Sequence, residues 1–123
     1  MTEPTLPAAF ADLAPHLGWA LSGADARQAK RRGSSRQDLR DFYDAVLPRL
    51  EAILAEVDRH PLGGLPESHR ALYDIALSLA EVAPHIELYG GSPGVPYAFE
   101  ESRFVAVHGD QPTWRGLAPM AGA

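Results

Sequence analysis

Between Ser35 and Arg59, apolar residues fall at Leu39, Tyr43, Val46, Leu50, Ile53 and Val57, in alternating steps of four and three. That spacing lines one face of an α-helix. Phe42, Leu47 and Leu54 lie at the edges of the stripe, and Asp41, Asp44, Glu51 and Asp58 fall on the other side. Ser35 followed by Asp38 matches a capping box, with Asp in the place of the usual Glu or Gln. Pro48 interrupts the run. At about 100° per residue it lies opposite the apolar stripe, so the pattern predicts one kinked helix in place of two short ones.

A second periodic run predicts a helix from about Pro66 to Tyr89. Leu72, Ile75, Leu79, Val82 and Ile86 form its stripe, and Ala76, Ala80 and Ala83 lie beside it, where another helix can approach closely. Pro66 suits the first turn, and Gly90-Gly91 suits the end. The short connection from His60 to Leu65 then implies an antiparallel hairpin. Upstream, Leu6, Phe10, Leu13 and Leu17 predict a helix from about Pro7 to Gly18, with Pro15 as a kink. Ser22-Gly23-Ala24-Asp25 predicts the cap of a further short helix to about Arg32. Residues 90–123 turn to proline and glycine and lose the helical period; Arg103 to His108 is their strand-like run.

The expected fold class is all-α: a small helical bundle built on a long antiparallel hairpin (35–59 and 66–89), with an N-terminal helix and an extended C-terminal arm. One domain is expected, divided into an N-terminal helical segment 1–35, a hairpin core 36–89 and an aromatic, proline-rich arm 90–123. The length of 123 residues fits a single domain with one core. Hydrophobic residues at 46% and charged ones at 22% are ordinary for a folded protein. The absence of cysteine excludes disulfides, thiolate catalysis and cysteine-ligated metal. No apolar run is long enough to span a membrane. The start of the chain lacks the pattern of a signal peptide, which predicts a cytoplasmic protein.

Three patterns carry candidate chemistry. Arg27, Lys30, Arg31, Arg32, Arg36 and Arg40 form a basic patch, six of eleven basic residues in a chain of net charge −5. Such a run can bind phosphates, or it can be a solvated helix end whose cations meet the C-terminal dipole. Asp74, Ser78, Glu81 and His85 share one face of the second long helix. Glu81 and His85, four apart, read either as a base and its orienter or as a solvent-facing pair. The other histidines, His16, His60, His69 and His108, are scattered and read as surface residues. No catalytic residue, metal ligand or cofactor is assigned, and no nucleophile elbow, phosphate loop or dinucleotide fingerprint is present. The third pattern is aromatic: Tyr89, Tyr97, Phe99, Phe104 and Trp114 cluster late in the chain, and five large rings call for packing on the bundle or on another chain. The arm is therefore expected to be ordered, with Gly116 to Ala123 the loosest.

The run Ala76-Leu77-Ser78-Leu79-Ala80-Glu81-Val82-Ala83-Pro84-His85-Ile86-Glu87-Leu88-Tyr89-Gly90, continued by Val95-Pro96-Tyr97 and Arg103-Phe104, resembles a group of short bacterial proteins that accompany Rieske-type aromatic-ring-hydroxylating oxygenases. The similarity covers residues 36–108. It implies a small helical accessory protein of a catabolic oxygenase system and transfers no functional residue. Without cysteine this chain cannot itself hold a Rieske cluster.

Three functions compete. The first is a non-enzymatic accessory or interaction subunit that binds another chain or itself, as a homo-oligomer, through the hairpin and the arm residues Tyr97, Phe99, Phe104 and Trp114. The second is a ligand-binding protein or small enzyme with a pocket between bundle and arm, lined by Trp19, Tyr43, Tyr73, Glu81, His85 and Tyr97. The third is nucleic-acid binding through residues 27–40. No membrane partner is expected.

Overall fold

The computed structural model of the chain describes residues 6–61, 63–95, 109 and 110. It is all-α: the described residues form helices and connecting turns with no strand. A 3-10 segment, Ala8–Trp19, is followed by α1 (Ala24–Arg32), α2 (Arg36–Val46), a 3-10 turn (Leu47–Arg49), α3 (Leu50–Val57) and α4 (Glu67–Glu87).

The kink expected at Pro48 is the 3-10 turn. Proline supplies no N–H, so the helix tightens for one turn between α2 and α3 and then resumes. At the head of α2 the capping box forms in both directions. The Asp38 backbone N–H donates to Ser35 Oγ and the Ser35 N–H to Asp38 Oδ2, both at 3.0 Å. These bonds, first of all the one from the Ser35 backbone, hold the Asp38 carboxyl below its ordinary value. A depressed carboxylate stabilises the fold above its unfolded pKa and loses that contribution as pH falls through the lower folded value. Ser35→Ala is expected to cost about 1 kcal/mol at neutral pH. It should also flatten the loss of stability below about pH 4, read as urea midpoints against pH. An unchanged pH profile would show that the Ser35 hydroxyl contributes nothing to holding the Asp38 carboxyl low, since alanine keeps the backbone N–H.

The hairpin is antiparallel and its register is visible in side-chain ties. Arg36 donates to the Gly90 carbonyl, Tyr43 to Glu87, and Glu56 meets His69. Each step up α2 and α3 is thus a step down α4. The core is continuous: Phe10, Leu13 and Trp19 from the N-terminal segment, Leu39, Phe42 and Val46 from α2, Ile53 from α3, and Leu72, Ile75, Ala76, Leu79 and Val82 from α4. Trp19 stacks on Phe42 with ring centroids 4.5 Å apart. Gly90 and Gly91 take φ values of 63° and 87°, which terminate α4 where other residues would be strained.

Two expectations change. The N-terminal helix is a 3-10 segment broken at Phe10 (φ −119°, ψ 20°), and it contains Pro15, which cannot donate an α-type bond. Its three buried side chains still cover the hairpin. The alanine strip on α4 is not the close-contact face: Ala76 is buried, Ala83 is half-buried and Ala80 is exposed. The opposite shoulder, Asp74, Ser78 and His85, is buried in its place. At about 100° per residue, α4 buries roughly 200° of its circumference. The α2–α3 arm covers the apolar stripe, while α1 and the N-terminal segment cover the polar shoulder. Of the C-terminal arm, only residues 90–95, 109 and 110 are among those described. The strand-like run Arg103 to His108, the rings of Tyr97, Phe99, Phe104 and Trp114, and the segment Gly116 to Ala123 lie outside them.

Candidate functional site

The polar shoulder of α4 is a set of internal ties. Ser78 Oγ donates to the Trp19 carbonyl at 2.6 Å, which fastens the N-terminal segment. Arg31, from the last turn of α1, is 1% exposed. Its Nε donates to Glu81 Oε2 at 2.7 Å and its Nη1 to the Pro93 carbonyl. His85 Nδ1 lies 2.8 Å from the Ser92 carbonyl. A carbonyl only accepts, so Nδ1 carries the proton in this bond. The His85 ring also meets Tyr89 edge-on at 5.0 Å. Glu81 and His85 are therefore neither a solvent-facing pair nor a base with its orienter. Each is committed to a different partner, and together they clasp the segment 92–93 after α4 against α1. The reason is tertiary: α1 and the returning chain close over this face.

Of the six residues expected to line a pocket, the five that are described do not line one cavity. Trp19 is buried against Phe42, with the Lys30 ammonium 5.2 Å from its ring centroid. Tyr43 donates its hydroxyl to Glu87 Oε2 at 2.7 Å, and that hydrogen bond raises the phenol above its ordinary value. Tyr73 is half-buried on α4, Glu81 and His85 are in the clasp, and Tyr97 is outside the described residues. An open depression of about 440 Å³ between α2 and the end of α4 is lined by Arg36, Gln37, Arg40, Ile86, Gly90 and Gly91, none of them from the expected set.

The basic patch also separates. Arg31 is interior, which corrects its place among surface cations. Arg27 donates to the Leu21 carbonyl at 2.9 Å, Arg36 to the Gly90 carbonyl at 2.7 Å, and Arg40 pairs with Asp44 at 3.1 Å. Arg32 remains exposed. Arg31 and Arg36 tie α1 and α2 to α4 and the residues that follow it.

Two features stand out among residues expected only at the surface or at the edge of the apolar stripe. At the hairpin turn, Glu56 from the last turn of α3, His60 just beyond it and His69 from the first turn of α4 bring one ligand atom each within 4.8 Å of one another. His69 Nε2 lies 2.9 Å from Glu56 Oε2, and Ser68 Oγ lies 3.1 Å from His69 Nδ1. The His69 bond, followed by the Arg59 charge, holds the Glu56 carboxyl below its ordinary value. The Glu56–His60 spacing of four was present in the sequence. The third member joins only when the hairpin closes. The second feature is on the outer face of the kinked helix. Leu47 and Leu54, seven residues apart, are 41% and 44% exposed, with Asp44, Glu51 and Asp58 interleaved.

The described part of the arm returns to α1 twice: Pro93 at Arg31, and Gly109, whose carbonyl accepts the Asp25 N–H at 2.9 Å. Among the described residues no helix is long and apolar enough to cross a membrane. Comparisons of the chain with protein-family models, with curated proteins and with solved structures find no match.

Proposed function

We propose that the chain is a non-enzymatic helical interaction subunit that docks through the outer face of α2 and α3. The observation that carries this reading is the exposed Leu47–Leu54 pair. The two side chains are seven residues apart, Leu47 at the start of the 3-10 turn and Leu54 on α3, and they belong to no internal core among the described residues. Asp44, Glu51 and Asp58 fall in the same stripe at steps of three and four; Asp44 is paired with Arg40, which leaves Glu51 and Asp58 as the acidic positions beside the two leucines. The complementary occupant is an amphipathic helix of another protein, with apolar side chains flanked by Lys or Arg. A second copy would bring like charges together, in a chain whose net charge is already −5. The resemblance of residues 36–108 to oxygenase-associated proteins supplies the class of partner, a component of a ring-hydroxylating oxygenase. The alternatives have less support, because the polar groups they would use are engaged within the fold: Arg31, Glu81 and His85 in the clasp, Arg36 and Arg40 on neighbouring groups.

The test compares the wild-type chain with Leu47→Ser/Leu54→Ser. Both residues are surface-exposed, so the variant should fold with its stability changed by about 0.5 kcal/mol or less per site. An oxygenase component should be retained by the wild type and lost with the variant, and binding between the two purified proteins should weaken at least tenfold. Equal capture and equal affinity for both forms would overturn the proposal.

A further inference from the structure

We propose that Glu56, His60 and His69 form a three-ligand site for a divalent transition-metal ion of the zinc type, placed at the turn of the hairpin. The proposal is independent of the docking surface. Two imidazoles and one carboxylate are the donor set that suits zinc-like ions, in contrast to the all-oxygen sets of calcium and magnesium. Zinc holds its ligands at about 2.0–2.2 Å, so donors around a tetrahedral ion lie roughly 3.3 Å apart. Here the three donor atoms are within 4.8 Å of one another, and His69 Nε2 is already 2.9 Å from Glu56 Oε2. The ion would take the place of the proton that now bridges those two groups, while side-chain rotation brings in a ring nitrogen of His60. The His60 and His69 rings already meet edge to face, 4.4 Å between centroids.

The surroundings favour the same reading. Ser68 Oγ engages His69 Nδ1 at 3.1 Å, which leaves Nε2 as the ligand atom and fixes the ring, as outer-shell partners of metal-bound histidines do. Arg59 Nη1 bonds Glu56 Oε1 at 3.1 Å and so occupies the carboxylate oxygen that does not face His69. The Arg59 side chain is 73% exposed and can swing into water when a cation binds beside it. All three ligands are half-buried, enough to exclude some solvent and open enough for entry. Three protein ligands leave a fourth position for water. Because the ligands come from the end of α3, the connection and the start of α4, the ion would clip the turn of the hairpin.

The experiment uses the full chain, free of any affinity tag and stripped with chelator. Zinc titration by calorimetry should show one ion per chain. Cobalt in its place should give the strong visible absorption of a four- or five-coordinate ion. Glu56→Gln and His60→Ala should each weaken zinc binding at least tenfold, with circular dichroism confirming the helical fold, and His16→Ala should leave it unchanged. At a zinc concentration about a hundredfold above Kd, the wild-type thermal midpoint should rise by about 5–10 °C, and that of His60→Ala should not. Absence of heat and of the cobalt band at about 100 µM metal, or binding undiminished by His60→Ala, would overturn the site.

Discussion

Phe42→Ala is expected to be the most destabilising single truncation in the hairpin, at about 3–5 kcal/mol. Phe42 is fully buried, stacks on Trp19 at 4.5 Å and has the His16 ring against its edge at 5.9 Å. Its removal leaves a void between α2 and the N-terminal segment. That segment, broken at Phe10 and carrying Pro15, has little helical stability of its own with which to close the gap. Small domains are stable by about 5–15 kcal/mol, so the loss is a large share of the whole. Urea unfolding should show a lower midpoint, and Trp19 emission should move to the red. A cost under about 1 kcal/mol would mean that the N-terminal segment does not pack as described.

Glu81→Ala is expected to cost about 2–4 kcal/mol, which is large for one carboxylate on a helix. The reason is that it takes a carboxylate at hydrogen-bond distance away from a buried guanidinium. The Arg31 side chain is 2% exposed, and Glu81 is the carboxylate at 2.7 Å from its Nε. Glu81 is itself 28% exposed, so water entering its place offsets part of the loss, and the figure falls below that of a fully buried pair. A double variant, Arg31→Met with Glu81→Leu, removes both charges while keeping volume. It should be more stable than the sum of the single changes by at least about 1 kcal/mol. Additive costs in denaturant unfolding would show that Arg31 and Glu81 act separately.

These two expectations rest on different kinds of information. Phe42 was visible as an edge of the apolar stripe, and the capping box at Ser35, the kink at Pro48 and the glycine stop at Gly90-Gly91 were equally plain. Each depends on residues within a turn or two of one another, so local spacing encodes it. The antiparallel pairing followed from a connection too short for any other arrangement.

The Arg31–Glu81 tie joins positions 50 apart. Nothing in the spacing of either residue marks it, and the basic run around Arg31 reads as a surface. The same holds for the cluster at the hairpin turn. Glu56 and His60 are one helical turn apart, but His69 arrives from the next helix, 13 residues from Glu56.

Local periodicity thus determined that this chain forms an all-α hairpin, which apolar faces meet and where the helices start, bend and stop. Tertiary structure alone decided what happens to the shoulders of those faces. A polar residue beside an apolar stripe can face water or a second element, and both satisfy the helix. For Ser78 and Glu81 the choice was made by the N-terminal segment and α1 packing on that side, and for His85 by the chain returning at Ser92. For Leu47 and Leu54, among the described residues, it was made by the lack of any element packed there.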